Sequence, residues 1–293
     1  MSPIDTEQQV LAAVTELLTR LGPHRRLLIA YSGGLDSHVL LRACVEMSHN
    51  KGLTESPVAV HINHQLQPQS TSWEEHCAMQ AGALQAPFQS FRVDVNSRDA
   101  SPEEAARQAR YTQFRALLKE GDVVLTAHHA DDQVETLLLQ TLRGAGVNGL
   151  AAMPEISELG LGRLARPFLN LSQACLHSCA EHWALQWIED PSNKNPQVPR
   201  SFLRQQVLPL IGQQWPLFRS TINRTASHCG EAALLCGELA SLDAESCVDD
   251  NNRVFLDSLH ALSRVRQKNV LRHWIKGRLS RFPQTRHIDA LLD

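Results

Sequence analysis

The sequence predicts an α/β fold with a doubly wound, mainly parallel sheet in residues 1–212, followed by a smaller, mostly α-helical domain in residues 213–293. As far as residue 143, short apolar runs alternate with helical patterns, which is typical of parallel strands joined by crossover helices. Polar side chains follow three of these runs. Beyond Trp215 the alternation stops, and 293 residues are enough for roughly two domains.

The individual elements follow from periodicity and from residues that begin helices. Apolar runs predict strands at 27–31, 58–63, 88–95 and 122–127. Helical periodicity predicts helices at 6–21, from the first loop to about 47, and at 72–84, 101–119, 131–143, 171–185, after Pro199 to about 210, and at 217–242, 263–276 and from 287 onward. A capping box is predicted at Ser72 and Glu75, an N-cap at Ser101, and a short strand at 253–256.

The first strand runs into Ser-Gly-Gly-Leu-Asp-Ser at 32–37, which indicates a phosphate-binding loop. The adjacent Gly33 and Gly34 let backbone N–H groups face an anion. The hydroxyls of Ser32 and Ser37 and the start of the next helix add donors and partial positive charge. Asp36 beside a phosphate implies a bridging Mg²⁺. The lysine and the spacing of a Walker A loop are missing, and so is the G-x-G-x-x-G spacing.

Further polar residues follow the second and fourth predicted strands. His61 and Asn63 lie at the end of the second strand, and His128 and His129 directly follow the fourth, ahead of Asp132. Because ligands bind at the carboxyl ends of parallel strands, we expect these residues to form one site with the loop.

Asp132 and Glu135 are spaced to share one face of a helix that begins near Asp131. Beside a triphosphate, the pair fits a role with Mg²⁺ better than acid–base catalysis. With His128 and His129 nearby, a transition-metal site is the competing interpretation, although a stable site needs more closely placed ligands than these two carboxylates.

Two stretches are rich in basic residues. Arg107 and Arg110 lie one turn apart on a predicted helix, where they can reach a phosphate or a base, and the alternative is a helix surface with an ordinary Glu103–Arg107 pair. Residues 264–286 contain eight Lys or Arg and no Asp or Glu. That segment predicts either contact with a phosphate backbone or a solvated basic helix face.

The composition is that of an ordinary globular protein, with 43% hydrophobic and 20% charged residues. A net charge of −3 gives no general sign of a nucleic-acid partner. No apolar run approaches the roughly 20 residues of a membrane span, and the first residues lack a signal pattern. Seven cysteines without a C-x-x-C motif predict reduced thiols, so we expect a cytoplasmic protein with no membrane partner.

Six motifs, taken in order, resemble the bacterial tRNA(Ile)-lysidine synthase family of the ATP pyrophosphatase, or PP-loop, superfamily. They are S-G-G-L-D-S at 32–37, H-I-N-H at 61–64, A-R-x-x-R-Y at 106–111, H-H-x-D-D-Q-x-E-T at 128–136, L-R-G-x-G-x-x-G-L-x-x-M at 142–153 and E-D-x-S-N at 189–193. The His-His-x-Asp-Asp-Gln and Leu-Arg-Gly motifs discriminate this family, because the first loop is shared by the whole superfamily.

The resemblance implies an N-type ATP pyrophosphatase fold and a two-step reaction that uses ATP and Mg²⁺. ATP would adenylate the C2 oxygen of the wobble cytidine in the tRNA(Ile) that carries a CAU anticodon, with release of pyrophosphate. The amine of free L-lysine would then displace AMP and give lysidine.

The resemblance also implies a set of site residues. The ATP-binding residues would be Ser32, Gly33, Gly34, Leu35, Asp36, Ser37, His61 and Asn63. The catalytic residues would be Asp36 (which also binds Mg²⁺), Arg110, Asp132, Glu135 and Arg200. The substrate-binding residues would be Arg107, His128, His129, Arg143 and Arg204. Asp132 and Glu135 are candidates to hold and deprotonate lysine, while an arginine at 107, 110 or 200 would stabilise the adenylated base.

The chain departs from the family pattern at several points. Ser201 follows Arg200 where the family often has Asn, and Gln65 stands where Gly is common. Long members carry a further C-terminal domain for tRNA, so we expect this chain to be a shortened form, natural or engineered, that binds tRNA more weakly. The sequence leaves open whether the protein forms a homodimer.

Three alternative functions use the same loop. A tRNA thiolase usually needs paired cysteines or an iron–sulfur site, and the lack of C-x-x-C argues against it. A small-molecule amidating ligase would not need the basic segment. A nucleotide-binding regulatory module would not need two carboxylates and three arginines at the same sheet edge.

Overall fold

The computed structural model describes residues 3–51, 56–95, 102–191, 195–275 and 285–292. Its contacts group the chain into two compact units. The first unit comprises Met1–Arg143 and Ala152–Arg224, and the second comprises Gly144–Ala151 and Thr225–Asp293. The functional domain limits 1–212 and 213–293 stay a prediction.

The first unit contains a six-stranded sheet, which confirms the predicted fold class. Its strands are β1 (Leu27–Ala30), β2 (Val58–Asn63), β3 (Phe88–Arg92), β4 (Val123–Leu125), β5 (Ile156–Leu159) and β6 (Gly162–Ala165). They lie in the order β3-β2-β1-β4-β6-β5, and every pair is parallel except β5 with β6. The chain order reverses between β1 and β4, which is where ligands bind in such sheets.

Two of these strands, β5 and β6, are missing from the sequence-based prediction. Each contains only four residues, too few to show a clear alternation. A tight turn joins them, and Gly160 in that turn has a φ of +62°, a conformation that glycine adopts at little cost. Because β6 lies parallel to β4, the residue that follows it, Arg166, lies at the same sheet edge as the predicted site.

The helices largely match the prediction. In chain order they are α1 (Pro3–Leu21), α2 (Leu35–Lys51), α3 (Ser70–Ala83), α4 (Pro102–Leu117), α5 (Ala130–Leu142), α6 (Val147–Leu150), α7 (Gln173–His182), α8 (Pro199–Phe202), a π-helical segment (Leu203–Val207), α9 (Leu208–Gln214), α10 (Phe218–Cys247), α11 (Leu256–His260), α12 (Arg264–Ile275) and α13 (Thr285–Ala290). No described helix is long and apolar enough to cross a membrane.

Three local predictions differ from the structure. The capping box at Ser72 is wrong, because α3 begins two residues earlier and the Ser72 hydroxyl donates to the Gln69 carbonyl at 2.8 Å. The strand at 253–256 is reduced to a single bridge between Val254 and Val248, since α11 begins at Leu256. The helix after Pro199 is interrupted by the π-helical segment. The predicted N-cap Ser101 lies outside the described residues.

Apolar residues cover both faces of the sheet, as a doubly wound fold requires. One cluster joins α1, α2, α3 and α7 to the strands, with Tyr31 and Phe168 fully buried in it. On the opposite face, Phe114 and Leu118 pack against β1, β2 and β4 from the side of α4. The sheet is therefore packed on both faces, and its carboxyl edge positions polar side chains. In the second unit, Leu259, Val270 and Ile288 belong to a separate apolar cluster.

Candidate functional site

The loop between β1 and α2 takes a shape that requires glycine at its tip. Gly33 has a φ of +80°, and a Cβ there would lie 2.6 Å from Cys77 Sγ and 2.8 Å from Ile188 Cδ1. The Ile188 N–H donates to the Gly33 carbonyl at 2.9 Å, which ties a distant segment to the loop. A side chain at position 33 would disturb the loop and both neighbours.

The two serines of the loop bind each other and the backbone. Ser37 Oγ donates to the Gly34 carbonyl at 2.9 Å and accepts from the Ser32 N–H at 3.2 Å. Ser32 Oγ lies 3.1 Å from Ser37 Oγ, and the Gly34 N–H donates to it at 3.3 Å. These bonds fix the loop directly before Leu35, where α2 begins.

Asp36 lies close to His129, and one of its carboxylate oxygens is buried. Its Oδ2 lies 3.7 Å from His129 Nε2, whereas Oδ1 is buried and has no hydrogen-bond partner among the described residues. Burial raises the pKa of Asp36, although the nearby His129 and Arg204 counteract the rise. A buried, unpartnered carboxylate oxygen at a phosphate-type loop is the kind of oxygen that Mg²⁺ takes as a ligand.

His129 begins α5 and holds Asp132 in place. The Asp132 N–H donates to His129 Nδ1 at 3.4 Å, and the His129 N–H donates to Asp132 Oδ2 at 3.0 Å. The imidazole is 1% exposed, and its Nδ1 also lies 3.9 Å from Asp131 Oδ2. This cap places the imidazole among the carboxylates of Asp36, Asp131 and Asp132.

Asp132 and Glu135 share a helix face and are bridged by one guanidinium group. Arg204 Nε donates to Glu135 Oε1 at 2.7 Å, and its Nη2 donates to Glu135 Oε2 at 3.0 Å and to Asp132 Oδ1 at 3.1 Å. Burial raises the pKa of Glu135 despite Arg204. Burial acts in the same direction on Asp132, but His129, His128, the His129 N–H and Arg204 together hold its pKa below the usual value. The two carboxylates thus bind one cationic nitrogen group, the Arg204 guanidinium.

The other arginines of the predicted site differ in position. Arg200 donates to Thr136 Oγ1 at 3.1 Å, beside Glu135. Arg204 lies on the π-helical segment, a type of distortion that is frequent at functional sites. Arg143 is exposed at the other end of α5, roughly 16 Å along the helix axis from Asp132 at 1.5 Å per residue. Arg200 and Arg204 therefore lie with Asp132 and Glu135, whereas Arg143 lies away from them.

His61 and Asn63 support the site from within the protein. His61 Nδ1 lies 3.0 Å from the Tyr31 carbonyl, and its ring stacks on Phe88. Asn63 Nδ2 donates to Glu74 Oε2 at 2.8 Å, and its Oδ1 accepts from the Gln65 N–H at 2.9 Å. Gln65 has a φ of 54°, which accounts for the glycine that is common at this position.

Arg107 and Arg110 lie against the ring of Tyr111, with guanidinium carbons 5.0 Å and 5.8 Å from its centroid. The Glu103 side chain of the alternative pair lies outside the described residues. His128 follows β4, and its Nδ1 lies 2.8 Å from Thr126 Oγ1. Burial and neighbouring arginines, partly offset by Asp132, lower the pKa of His128 to about 3. His128 is therefore neutral at pH 7.

A family model described as the PP-loop domain matches residues 5–211. The chain belongs to this family. A second model, described as the TilS substrate binding domain, matches residues 256–293. Membership in the PP-loop family implies the use of ATP.

Named relatives confirm the resemblance inferred from the motifs of this PP-loop protein. It is 46% identical over 281 residues to a tRNA(Ile)-lysidine synthase of Pseudomonas syringae, covering 92% of this chain and 62% of that protein. It is 43% identical over 280 residues to the enzyme of the same name from Coxiella burnetii, covering 94% of this chain and 61% of that protein. This chain thus spans less than two thirds of the length of these relatives.

A solved structure confirms the fold of the PP-loop protein. The U34-tRNA thiolase of Methanococcus maripaludis, described with its 4Fe-4S cluster, superposes with a TM-score of 0.60 and 14% identity, covering 76% of this chain and 78% of that chain. Among the residues described here, no group of three or more His, Cys, Asp or Glu could hold a metal ion. The transition-metal interpretation of the histidine–carboxylate motif therefore has no support from the geometry.

The sequence does not predict two polar residues of this PP-loop protein, Arg166 and Asp131, as site residues. Arg166 follows the unpredicted strand β6 and is 5% exposed. Asp131 accepts from the Gln173 N–H at 3.0 Å and from Arg219 Nε, so it anchors the start of α5. The sequence shows Arg166, but its place at the carboxyl edge of the sheet follows only from strand β6, which the sequence does not predict. Ser192 and Asn193 of the last motif lie outside the described residues.

Proposed function

We propose that this protein is an ATP-dependent ligase that joins free L-lysine to C2 of the wobble cytidine of a CAU-anticodon tRNA(Ile) in the cytoplasm. ATP first adenylates the C2 oxygen and releases pyrophosphate. The lysine amine then displaces AMP. The proposal rests on the named relatives and on one geometric observation, the pair of carboxylates that binds a guanidinium group beside the PP-loop.

That observation concerns Asp132 and Glu135. The two carboxylates bind one cationic nitrogen group, that of Arg204, through three hydrogen bonds of 2.7 to 3.1 Å. An amine carried by substrate lysine has the same charge and the same preference for carboxylate oxygens. The buried Glu135, whose pKa is raised, suits the removal of a proton from that amine before it attacks.

The PP-loop and Asp36 supply the nucleotide end of the proposed site. The loop N–H groups and the N-terminus of α2 favour phosphate oxygens. The unpartnered Asp36 Oδ1 fits Mg²⁺, which would neutralise the charge of the triphosphate. Ser32 and Ser37 fix the loop, His61 binds the carbonyl of Tyr31 directly before it, and Asn63 fixes the turn after β2 at the same sheet edge.

Basic residues supply the contacts to the RNA in this proposal. Arg110 and Arg200 stabilise the adenylated base, and Arg107 with His128 and His129 helps to bind the substrate. Residues 213–293 contact the tRNA, which is supported by the match of 256–293 to a substrate binding domain. Arg143, exposed at the end of α5, would contact RNA away from the reacting base.

The test measures pyrophosphate release from ATP with total tRNA, with and without free lysine, and then the masses of the nucleosides after tRNA digestion. We expect a lysine-dependent cytidine product that is heavier by one lysine less water. Pyrophosphate release without that product would keep adenylation but reject lysine as the nucleophile. If tRNA does not stimulate release, the proposal fails.

A further inference from the structure

Arg204 binds most of the carboxylate oxygens that the proposed reaction would offer to an incoming amine. Its guanidinium group donates to both oxygens of Glu135, at 2.7 and 3.0 Å, and to Asp132 Oδ1 at 3.1 Å. The fourth oxygen of the pair, Asp132 Oδ2, accepts from the His129 N–H at 3.0 Å. Each oxygen of the two carboxylates therefore has a donor from the protein before any substrate is bound.

The charge of Arg204 also opposes the entry of a second cation. A carboxylate oxygen can accept two hydrogen bonds, so an ammonium group could in principle share these oxygens with Arg204. It would then lie beside a guanidinium group of the same charge, next to a Glu135 side chain that is 0% exposed. Like charges repel more strongly where water is excluded. An ammonium group therefore competes with Arg204 for the two carboxylates.

The surroundings of Arg204 allow its side chain to leave while the backbone stays in place. The π-helical segment and the start of α9 are anchored by Leu203 and Leu208, which are 5% and 3% exposed. The Arg204 side chain is 35% exposed, so it can turn toward solvent without unpacking these leucines. Glu135 has no such path. Of the groups in this contact, Arg204 is the one that can move.

We propose that Arg204 is an internal competitor for the proposed lysine subsite and that it determines which nucleophiles can enter. The inference rests on the proposed function, which assigns Asp132 and Glu135 to the amine. A primary ammonium group has three N–H donors, as many as the bonds that Arg204 makes to the pair, so it can take the place of the guanidinium group. A water molecule is neutral and would leave both carboxylates without a cation, so it does not displace Arg204.

This competition has a measurable consequence for affinity. Lysine binds only to molecules in which Arg204 has left the carboxylates, so its apparent affinity is the intrinsic affinity reduced by the fraction of such molecules. Removal of the guanidinium group should therefore make lysine bind more tightly. If Arg204 instead held lysine directly, its removal would make lysine bind more weakly. The direction of the change distinguishes the two roles.

The test measures the affinity of L-lysine by calorimetry, without tRNA, for the wild-type protein and for Arg204→Met. We expect the variant to bind lysine about tenfold more tightly, because lysine no longer has to replace bonds between charged groups. Arg219→Met is the matched control, since Arg219 pairs with Asp131, the residue next to Asp132. It also removes one positive charge beside the site, but it should leave lysine affinity near the wild-type value.

Three results of this comparison would overturn the proposal. They are weaker or unchanged lysine binding in a folded Arg204→Met protein, an equal gain of affinity in Arg219→Met, and no binding of lysine to either the wild type or Arg204→Met. The second result would show that any loss of positive charge near the carboxylates attracts lysine, without competition for the same oxygens.

A second measurement uses the wild-type protein and decides if Arg204→Met does not fold. The Arg204 Nε–H donates to Glu135 Oε1, and its signal in a proton–nitrogen correlation NMR spectrum is identified by its loss in Arg204→Lys. Addition of lysine should shift this signal and speed its exchange with water, because the bond to Glu135 is broken. A signal that stays unchanged at saturating lysine would contradict the proposal.

The lysidine assay is read separately from these measurements. Lysidine formation by the wild type, together with unchanged lysine affinity in Arg204→Met, would support the proposed function and refute the competition. Tighter lysine binding by Arg204→Met, without lysidine formation by the wild type, would refute the proposed function and support the competition.

Discussion

The surroundings of Tyr111 and helix α12 both contain several basic side chains, but these side chains differ in whether they are paired with carboxylates. On α12, Arg266 binds the carboxylate of Asp243, and Lys268 binds that of Asp289. The described residues provide no carboxylate for Arg107, which lies over the Tyr111 ring, or for the buried Arg166. The sequence suggests the reverse, because residues 264–286 contain no acid whereas α4 does. Folding, not local composition, decides which basic groups remain available for a ligand.

Paired and unpaired charges contribute differently to the free energy of unfolding. A paired charge stabilises the fold a little or aligns its elements, whereas an unpaired buried charge costs stability unless a ligand binds it. Unpaired groups should therefore affect activity more than stability when replaced, and paired groups outside the proposed site should do the reverse. Asp36 is the acidic counterpart of Arg107 and Arg166, since its Oδ1 has no hydrogen-bond partner among the described residues.

The largest expected effect comes from Asp36→Asn. We expect ATP-dependent pyrophosphate release to fall on the order of 10²–10³-fold, the usual loss when a group that stabilises developing charge is removed. The free energy of unfolding should stay the same or rise, because burial already disfavours the ionised Asp36. Enzyme assays and urea unfolding measure the two quantities. Asp243→Asn is the control, because Asp243 is paired with Arg266. A loss of activity in Asp243→Asn as large as in Asp36→Asn would show that paired and unpaired carboxylates do not differ in this way.

The next largest effect is expected for Arg204→Met, which removes the cation paired with Asp132 and Glu135. It leaves Glu135, which is 0% exposed, without its cation, at a cost of about 3 kcal/mol in the free energy of unfolding. Losing the cation raises the pKa of Glu135 further above its unfolded value. The variant's stability should therefore be greatest below the unfolded pKa and fall as pH rises toward the folded pKa. Urea unfolding between pH 4.5 and 8 checks this, and a deficit that grows at low pH would contradict it.

A smaller effect concerns the pKa of His64, which is about 4 in the folded protein. Part of this lowering comes from Arg110, so Arg110→Gln should raise the pKa of His64, as NMR titration can show. Because the folded pKa lies below the unfolded value, stability due to neutral His64 is present above about pH 6.5 and is lost as pH falls toward 4. That loss should be smaller in the variant. An equal shift in Arg115→Gln would show that the effect is not local.

The predictable parts of this molecule depend on short-range signals. The PP-loop combines a buried strand, two glycines and a helix start within a few residues, so the sequence predicts it with Ser32, Asp36 and Ser37 in place. The spacing of Asp132 and Glu135 likewise follows from helix geometry. Strands β5 and β6 are too short to carry such a signal.

The remaining features depend on contacts between distant residues. Arg204 lies 69 residues from Glu135 in the chain, and no local pattern links them. The cap of α5 is a histidine, a residue outside the usual set of capping side chains. Arg166 lies at the carboxyl edge of the sheet only because β6 pairs with β4. The carboxylates that pair with Arg266 and Lys268 of the basic segment come from α10 and α13, outside that segment. The rest of the segment includes residues outside the described part of the chain, namely Lys276, Arg278, Arg281 and Phe282.

The smallest effect on function is expected for Arg266→Gln. The substitution removes one positive charge, but Asp243 already neutralises Arg266. RNA affinity and its salt slope should therefore stay near the wild-type values, while the temperature of thermal unfolding should fall, because the variant leaves the buried Asp243 without its cation. Filter binding at several salt concentrations and a thermal melt measure both effects. A clear loss of RNA affinity in Arg266→Gln would mean that α12 binds RNA through a charge that is paired in the free protein, since RNA would then have to displace Asp243.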